Sequence, residues 1–158
     1  MKRAGTGWDI HRLAEGRALV LGGVTIPNSK GCVGHSDGDA LIHAIIDAML
    51  GAAGLGDIGT QFPDNDSKYK DINSCVLLRC ANDLIREKNL HIVNVDSTVI
   101  LQSPKLAPYI DSMKDCISES LDLEKEFIGV KAKTAEHMLA ELGTGDAVEA
   151  QAVVLLSD

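Results

Sequence analysis

Apolar and polar residues alternate from Met1 to Leu13, and this two-residue period predicts a strand ending at the Glu15-Gly16 turn. A second strand is predicted over Ala18 to Ile26, with Gly22-Gly23 inside it and Pro27 closing it. The period then lengthens. Ile42, Ile45, Ile46, Met49 and Leu50 predict a helix over Asp37 to Ala53, with Ser36 as its cap and Asp39 completing a capping box. Glycines at 54, 56 and 59 end it. A second helix is predicted over Ile72 to Lys88, with Ile72, Val76, Leu77, Cys80, Leu84 and Ile85 on one face. His91 to Leu101 alternates as a strand rich in β-branched residues. Leu106 to Leu121 predicts a third helix with Pro108 in its first turn. Phe127 to Lys133 predicts a strand, Thr134 to Leu142 a short helix stopped by Gly143, and Ala147 to Leu156 a closing strand. The pattern describes one α/β (α+β mixed) domain over residues 1–158, a mostly four-stranded sheet packed by helices. Strand order is not contained in it.

Composition changes this picture in one respect. Only five residues are Phe, Tyr or Trp, so the core must come from Ala, Val, Leu and Ile. Such a core offers little area per residue, which favours added burial between copies of the chain. The formal net charge is −8, without a basic run, and this argues against nucleic acid as a partner. No apolar run approaches the ~18 residues of a membrane span. The four cysteines form no C-x-x-C pair and read as buried, reduced thiols of a cytoplasmic protein. Met1 directly before the first strand fits a chain without a targeting segment.

Chemistry concentrates in four places. Asp9 and His11 stand two apart on a strand and so share a face, with Ile10 opposite. Their oxygen and nitrogen donors suit Zn²⁺. On the first helix, His43 and Asp47 are four apart with Asp39 one turn earlier, a polar stripe in an otherwise apolar helix. No nearby lysine or arginine is available to pair with it. Asp9, His11 and His43 would leave a fourth tetrahedral position open, as catalytic zinc sites do. The glycine-rich run 54–59 and the Phe62-Pro63-Asp64-Asn65-Asp66 stretch suit a helix C-cap and turn, or close backbone approach to a phosphate or sugar. In Val130 to Glu136, Thr134 would cap a helix, and Glu136 would either stabilise its dipole or hold a hard divalent cation. An acidic protein that binds a polyphosphate needs metal ions to neutralise it.

The segments GWDIH, GHSDGDALIHAIIDA, GLGDIG followed by FPD, LQSPKL and VKAKTAE occur in order between about Gly5 and Leu156. Together they resemble the 2-C-methyl-D-erythritol 2,4-cyclodiphosphate synthase family. The resemblance implies a homotrimer of α/β subunits with active sites between adjacent subunits. It implies that 4-diphosphocytidyl-2-C-methyl-D-erythritol 2-phosphate closes to the 2,4-cyclodiphosphate and releases CMP in the non-mevalonate isoprenoid route. Asp9, His11 and His43 match its zinc ligands. Glu136 matches the ligand of a second divalent ion, Mg²⁺ or Mn²⁺, shared with the substrate phosphates. His35 and Thr134 match residues that steady the transition state.

The same resemblance implies substrate contacts at Asp9, Ile10 and His11, at His35 and Ser36, at Asp57, Ile58 and Gly59, and along Phe62, Pro63, Asp64, Asn65 and Asp66. Cytidine-side contacts match Leu101, Gln102, Ser103, Pro104, Lys105, Leu106 and Ala107, with Lys133, Thr134, Ala135 and Glu136. Asp47 matches a position beside the nucleotide ribose in a neighbouring subunit. Two departures stand out. Residues 139–145 read LAELGTG, without the aromatic and arginine the family often carries there, and Lys133 replaces one of a threonine pair. Lys133 could take up phosphate charge in place of the arginine. The rival readings are a zinc-dependent phosphohydrolase and a non-catalytic trimeric binder of metal or nucleotide.

Overall fold

The computed structural model describes residues 1–34, 36–63, 65–69 and 71–158. Its spine is β1 (Lys2–Glu15), which pairs antiparallel along nearly its whole length with the closing strand β7 (Ala147–Ser157). On its other side β1 pairs with the short β4 (Lys30–Cys32). Beyond β7 come β5 (His91–Ile100), antiparallel, and β6 (Ile128–Lys133), parallel to β5. The sheet order is β4-β1-β7-β5-β6. It therefore has five strands where the alternation predicted mostly four. The added strand, β4, has three residues, too few for a period to register.

The predicted strand Ala18–Ile26 is instead a hairpin, β2 (Leu19–Leu21) and β3 (Val24–Ile26), forming a separate two-stranded sheet. Gly22 and Gly23 both have positive φ, 59° and 76°, as a two-residue hairpin turn demands. Helix α1 (Ala40–Ala53) begins three residues later than predicted. Gly38, at φ 72°, breaks the helical path before it, and Asp39 becomes the N-cap, accepting from the Ile42 N–H at 3.0 Å. Asp39 also accepts from the Gly22 and Gly23 N–H groups at 2.9 and 2.7 Å, so it fastens the hairpin to α1. Its carboxylate is fully buried, and that burial pushes its pKa up to about 6.

Helix α1 lies across β1 and β7 and is buried on nearly all sides. Its approach to β1 is governed by glycine. A Cβ at Gly5 would collide with the Ala48 carbonyl, and one at Gly7 with the Ala44 carbonyl. Helix and strand thus meet backbone to backbone, with only alanines between. The short helix α2 (Ile58–Gln61) follows α1, and α3 (Ser74–Glu87) packs against α1. Its buried face is Cys75, Leu77, Leu78, Ala81, Asn82 and Ile85. Val76 and Cys80, predicted to lie inward, are exposed. The buried face is centred instead on Leu78 and Ala81, and Asn82 beside them is satisfied there by donating to the Leu121 carbonyl at 2.9 Å. Helix α4 (Ile110–Leu121), preceded by a 3₁₀ turn at Ala107–Tyr109, packs on α3 and β6.

The predicted helix Thr134–Leu142 does not form. Glu136, His137, Leu139 and Ala140 have φ between 49° and 63°, which a right-handed helix excludes. Only a single turn, α5 (Glu141–Thr144), is helical, and Gly145 at φ 80° ends it. Gly143 sits within that turn because any side chain there would strike the His137–Met138 backbone. Across the sheet from α1, Trp8, Ile10 and Val153 present a partly exposed apolar face.

Gly7→Ala should be the most damaging single methyl addition in the chain. Forcing α1 off β1 is expected to cost at least about 1–3 kcal/mol in urea unfolding and to weaken any metal held between the two elements.

Candidate metal centre and active site

The close approach of α1 to β1 brings His43 beside Asp9 and His11. Asp9 and His11 point to the helix side of β1, and Ile10 faces away, 41% exposed, as strand alternation requires. His11 Nε2 lies 2.8 Å from Asp9 Oδ2, His43 Nδ1 lies 3.0 Å from the same oxygen, and the two nitrogens are 3.2 Å apart. This is the group of described residues able to hold a metal ion. A tetrahedral ion about 2.0–2.1 Å from each donor needs donor spacings of ~3.3 Å, so the triangle fits after opening by a few tenths of an ångström.

The chemistry of the donors points the same way. His11 Nδ1 is 3.0 Å from the Val33 carbonyl, an acceptor, so it carries the proton and Nε2 presents a lone pair. Asp9 adds a carboxylate. Electron-rich atoms crowd one point that only a proton or a cation can hold together. Without metal the proton serves. Burial opposes ionisation of Asp9, yet the His11 and His43 rings beside its carboxylate, with the charge they can carry, lower its pKa to about 2. Burial disfavours protonated His11 as well, but the Asp9 carboxylate and the Val33 carbonyl raise its pKa above the ordinary 6.5.

The triad lies on the wall of a cavity of about 190 Å³, also lined by Ser36, Ile58, Gly59, Phe62, Tyr69 and Leu77. Asp57 caps α2, accepting at 2.7 Å from both the N–H and the hydroxyl of Thr60, and these bonds lower its pKa. Asp47 does not meet the triad by a hydrogen bond. It reaches along α1 to accept from the Ile58 N–H at 2.8 Å and so ties the cavity's far wall to the helix. Phe62 is buried edge-on against Tyr69. Pro63 and Asn65 are exposed in the next loop, and Asp66 accepts from the Lys68 N–H at 3.0 Å. His35 and Asp64 lie outside the described residues.

A second cavity, of about 170 Å³, is lined by Leu101, Gln102, Pro104, Lys105, Leu106, Ala107, Ala132, Lys133 and Thr134. It shares no lining residue with the first. Ser103, within the same loop, is exposed, and Ala135, next along the chain from Thr134, is buried. Thr134 does not cap a helix. Its hydroxyl donates to Glu136 Oε1 at 2.6 Å and fixes an exposed carboxylate beside the cavity. Tyr69, Leu77 and Ala132 were missed as cavity residues. Tyr69, one of five aromatics and close behind the Phe62 stretch, was the recoverable one.

A mixed α/β chain with an Asp-His-His group able to hold a metal is the class that fold and site define. The chain matches the YgbB family model over residues 2–157 and belongs to that family. It is similar to 2-C-methyl-D-erythritol 2,4-cyclodiphosphate synthase of Fusobacterium nucleatum subsp. nucleatum, at 54% identity over 156 residues, 99% of this chain and 97% of that protein. It is similar also to the protein of that name from Laribacter hongkongensis, at 57% identity over 154 residues, 98% of this chain and 94% of the relative. A solved structure of 2C-methyl-D-erythritol-2,4-cyclodiphosphate synthase in a CDP-bound form superposes with a TM-score of 0.90 at 41% identity, covering 98% of this chain and all of that one.

The titrations carry a sign. In chelator-treated protein, protonated His11 stabilises the fold below its unfolded pKa, and that contribution fades as pH rises through the raised folded value. Asp9 contributes above its unfolded value and is lost as pH falls toward about 2. Metal-free protein should therefore melt at a lower temperature at about pH 8 than at about pH 6, and Zn²⁺ should abolish that decline. A flat profile in stripped protein would remove the Asp9–His11 proton from this account.

Proposed function

We propose that this chain closes 4-diphosphocytidyl-2-C-methyl-D-erythritol 2-phosphate into 2-C-methyl-D-erythritol 2,4-cyclodiphosphate with release of CMP. This is a phosphorus–oxygen lyase step of the non-mevalonate isoprenoid route. The observation that carries the reading is the convergence of Asp9, His11 and His43 on the wall of a cavity. Those three residues would hold Zn²⁺, which supplies Lewis-acid polarisation of the β-phosphate. Glu136, steadied by Thr134, would take a second divalent cation, Mg²⁺ or Mn²⁺, against the diphosphate.

The reaction asks for no protein nucleophile. An oxygen of the substrate's 2-phosphate attacks the β-phosphorus, the bond from that phosphorus to the oxygen bridging to CMP breaks, and its electron pair leaves with CMP. The residues contribute placement and charge. Ser36, Ile58, Gly59 and Phe62 shape the cavity around the methylerythritol phosphates. Leu101 to Ala107, with Lys133 and Thr134, shape the second around the cytidine. Thr134 and His35 are assigned to steadying the transferring phosphoryl group, His35 on its motif match alone.

One domain over residues 1–158 carries all of this, assembled as a homotrimer with active sites between adjacent subunits. Two things support the assembly. The triad cavity and the cavity assigned to cytidine share no lining residue, which fits a site completed by a neighbouring copy. The outer sheet face exposes Trp8 at 54% and Val153 at 49%, beside Ile10, an apolar patch that a second copy would cover. Among the described residues no helix is long and apolar enough to cross a membrane.

A ³¹P NMR time course with the cytidyl substrate, Zn²⁺ and Mg²⁺ tests the reaction. Cyclic diphosphate and CMP are expected from the wild type, with His43→Ala slowed at least about 10³-fold. A linear product carrying solvent oxygen would make the chain a phosphohydrolase, and uptake of metal without turnover would make it a binder. Lys133, exposed at the lip of the second cavity, should answer for the arginine absent from 139–145. Lys133→Ala is expected to raise KM about tenfold, or ~1.4 kcal/mol, with little change in kcat. An unchanged KM would end that assignment.

A further inference from the structure

His43 is gripped from behind as well as from the front. Its Nδ1 faces Asp9 and His11, while its Nε2 lies 3.1 Å from Ser36 Oγ and 3.0 Å from Ser74 Oγ. The two serines differ in what they can offer. Ser36 lines the cavity, and its oxygen accepts a long bond from the Gly38 N–H at 3.3 Å, which leaves its hydroxyl able to turn toward a ligand. Ser74 is fully buried as the first residue of α3. Its hydroxyl donates to Asp37 Oδ1 in a short contact, and its backbone N–H donates to Asp37 Oδ2 at 2.9 Å. The carboxylate takes both donors that Ser74 owns.

That leaves only lone pairs of Ser74 directed at His43. A carboxylate cannot donate, and a serine has one hydroxyl proton, already committed. Nε2 of His43 must then be the protonated nitrogen, donating to Ser74, and Nδ1 must present its lone pair toward Asp9 and His11. We propose that Asp37 and Ser74 are positioning residues for the metal centre, setting the tautomer and ring orientation of His43 so that Nδ1 is ready to bind. His11 needs no such pair, since a backbone carbonyl at Val33 sets its tautomer. The proposal rests on the reading of Asp9, His11 and His43 as metal ligands.

Two full-length variants test it. Ser74→Ala removes the fixed acceptor behind His43 and leaves only Ser36 Oγ, whose hydroxyl is free to donate to Nε2 and so favour the wrong tautomer. Asp37→Asn keeps the shape but offers a single acceptor. If the amide oxygen holds the Ser74 N–H, the NH₂ group donates to the hydroxyl and turns its proton toward His43, favouring the wrong tautomer. Zn²⁺ affinity is measured by competition with a chromogenic chelator. Long-range ¹H–¹⁵N spectra of metal-free protein at about pH 8, where an ordinary imidazole is neutral, read the His43 tautomer directly.

The wild type should show His43 protonated at Nε2. Each variant should bind Zn²⁺ about 10–100-fold more weakly and populate the Nδ1–H form, and the double variant should be little worse than Ser74→Ala alone. Wild-type affinity with an unchanged tautomer in both variants overturns the proposal. Should Ser74→Ala fail to fold by circular dichroism, the isosteric Asp37→Asn decides alone. If the wild type itself takes up no Zn²⁺, the metal reading falls, and the metal-free tautomer still decides whether the pair positions His43.

Discussion

The contact between α1 and β1 governs everything else in this molecule. Gly5 and Gly7 on the strand meet Ala44, Ala48 and Ala52 on the helix with no larger side chain between. A core poor in aromatics can still exclude water if its elements come this close, because dispersion and apolar burial both rise as the gap closes. The same closeness places His43 within reach of Asp9 and His11. One packing solution thus stabilises the fold and assembles the metal centre, and the ligands need no long or flexible side chains.

Around that contact, acidic groups are sorted by what they face. Asp39 is wholly buried and spends its oxygens on three backbone N–H groups. Asp37 is spent on Ser74, Asp47 on the amide of Ile58, and Asp57 on Thr60. Among the described acids, only Asp9 faces imidazoles, and there a cation can take the place of a proton. The crowding of acids at the start of α1 is therefore mostly structural, with a single metal-facing set embedded in it.

Much of this was legible in the chain. The two-residue period placed Asp9 and His11 on one face with Ile10 opposite, and the helical period placed His43 on the first helix. Long elements announced themselves because their periods repeat. What failed to announce itself was short or left-handed. β4 is three residues long, the hairpin at Gly22-Gly23 read as one strand, and the Glu136–Ala140 backbone turns through positive φ with residues that ordinarily continue a helix. In the sequence Asp39 belongs to a capping box and a polar stripe, and nothing there shows the hairpin that claims it, because Gly22 and Gly23 lie more than a dozen residues away. Ser74 and Asp37 carried no signal at all, since their partnership exists only once α3 has docked on α1.

Strand β1 serves two masters, and they are separated by parity. Odd positions from Gly5 to His11 carry the glycine contacts and the metal donors, while Trp8 and Ile10 at even positions form the outer apolar face. A single-residue insertion or deletion between Gly5 and Asp9 would turn one set against the other, sending imidazole outward and indole into the helix. No loop interrupts this stretch to absorb such a change, because β1 is paired on β7 from Lys2 to Arg12. Length variation is thereby confined to the turns, and β1 is held both in count and, at Gly5, Gly7, Asp9 and His11, in composition.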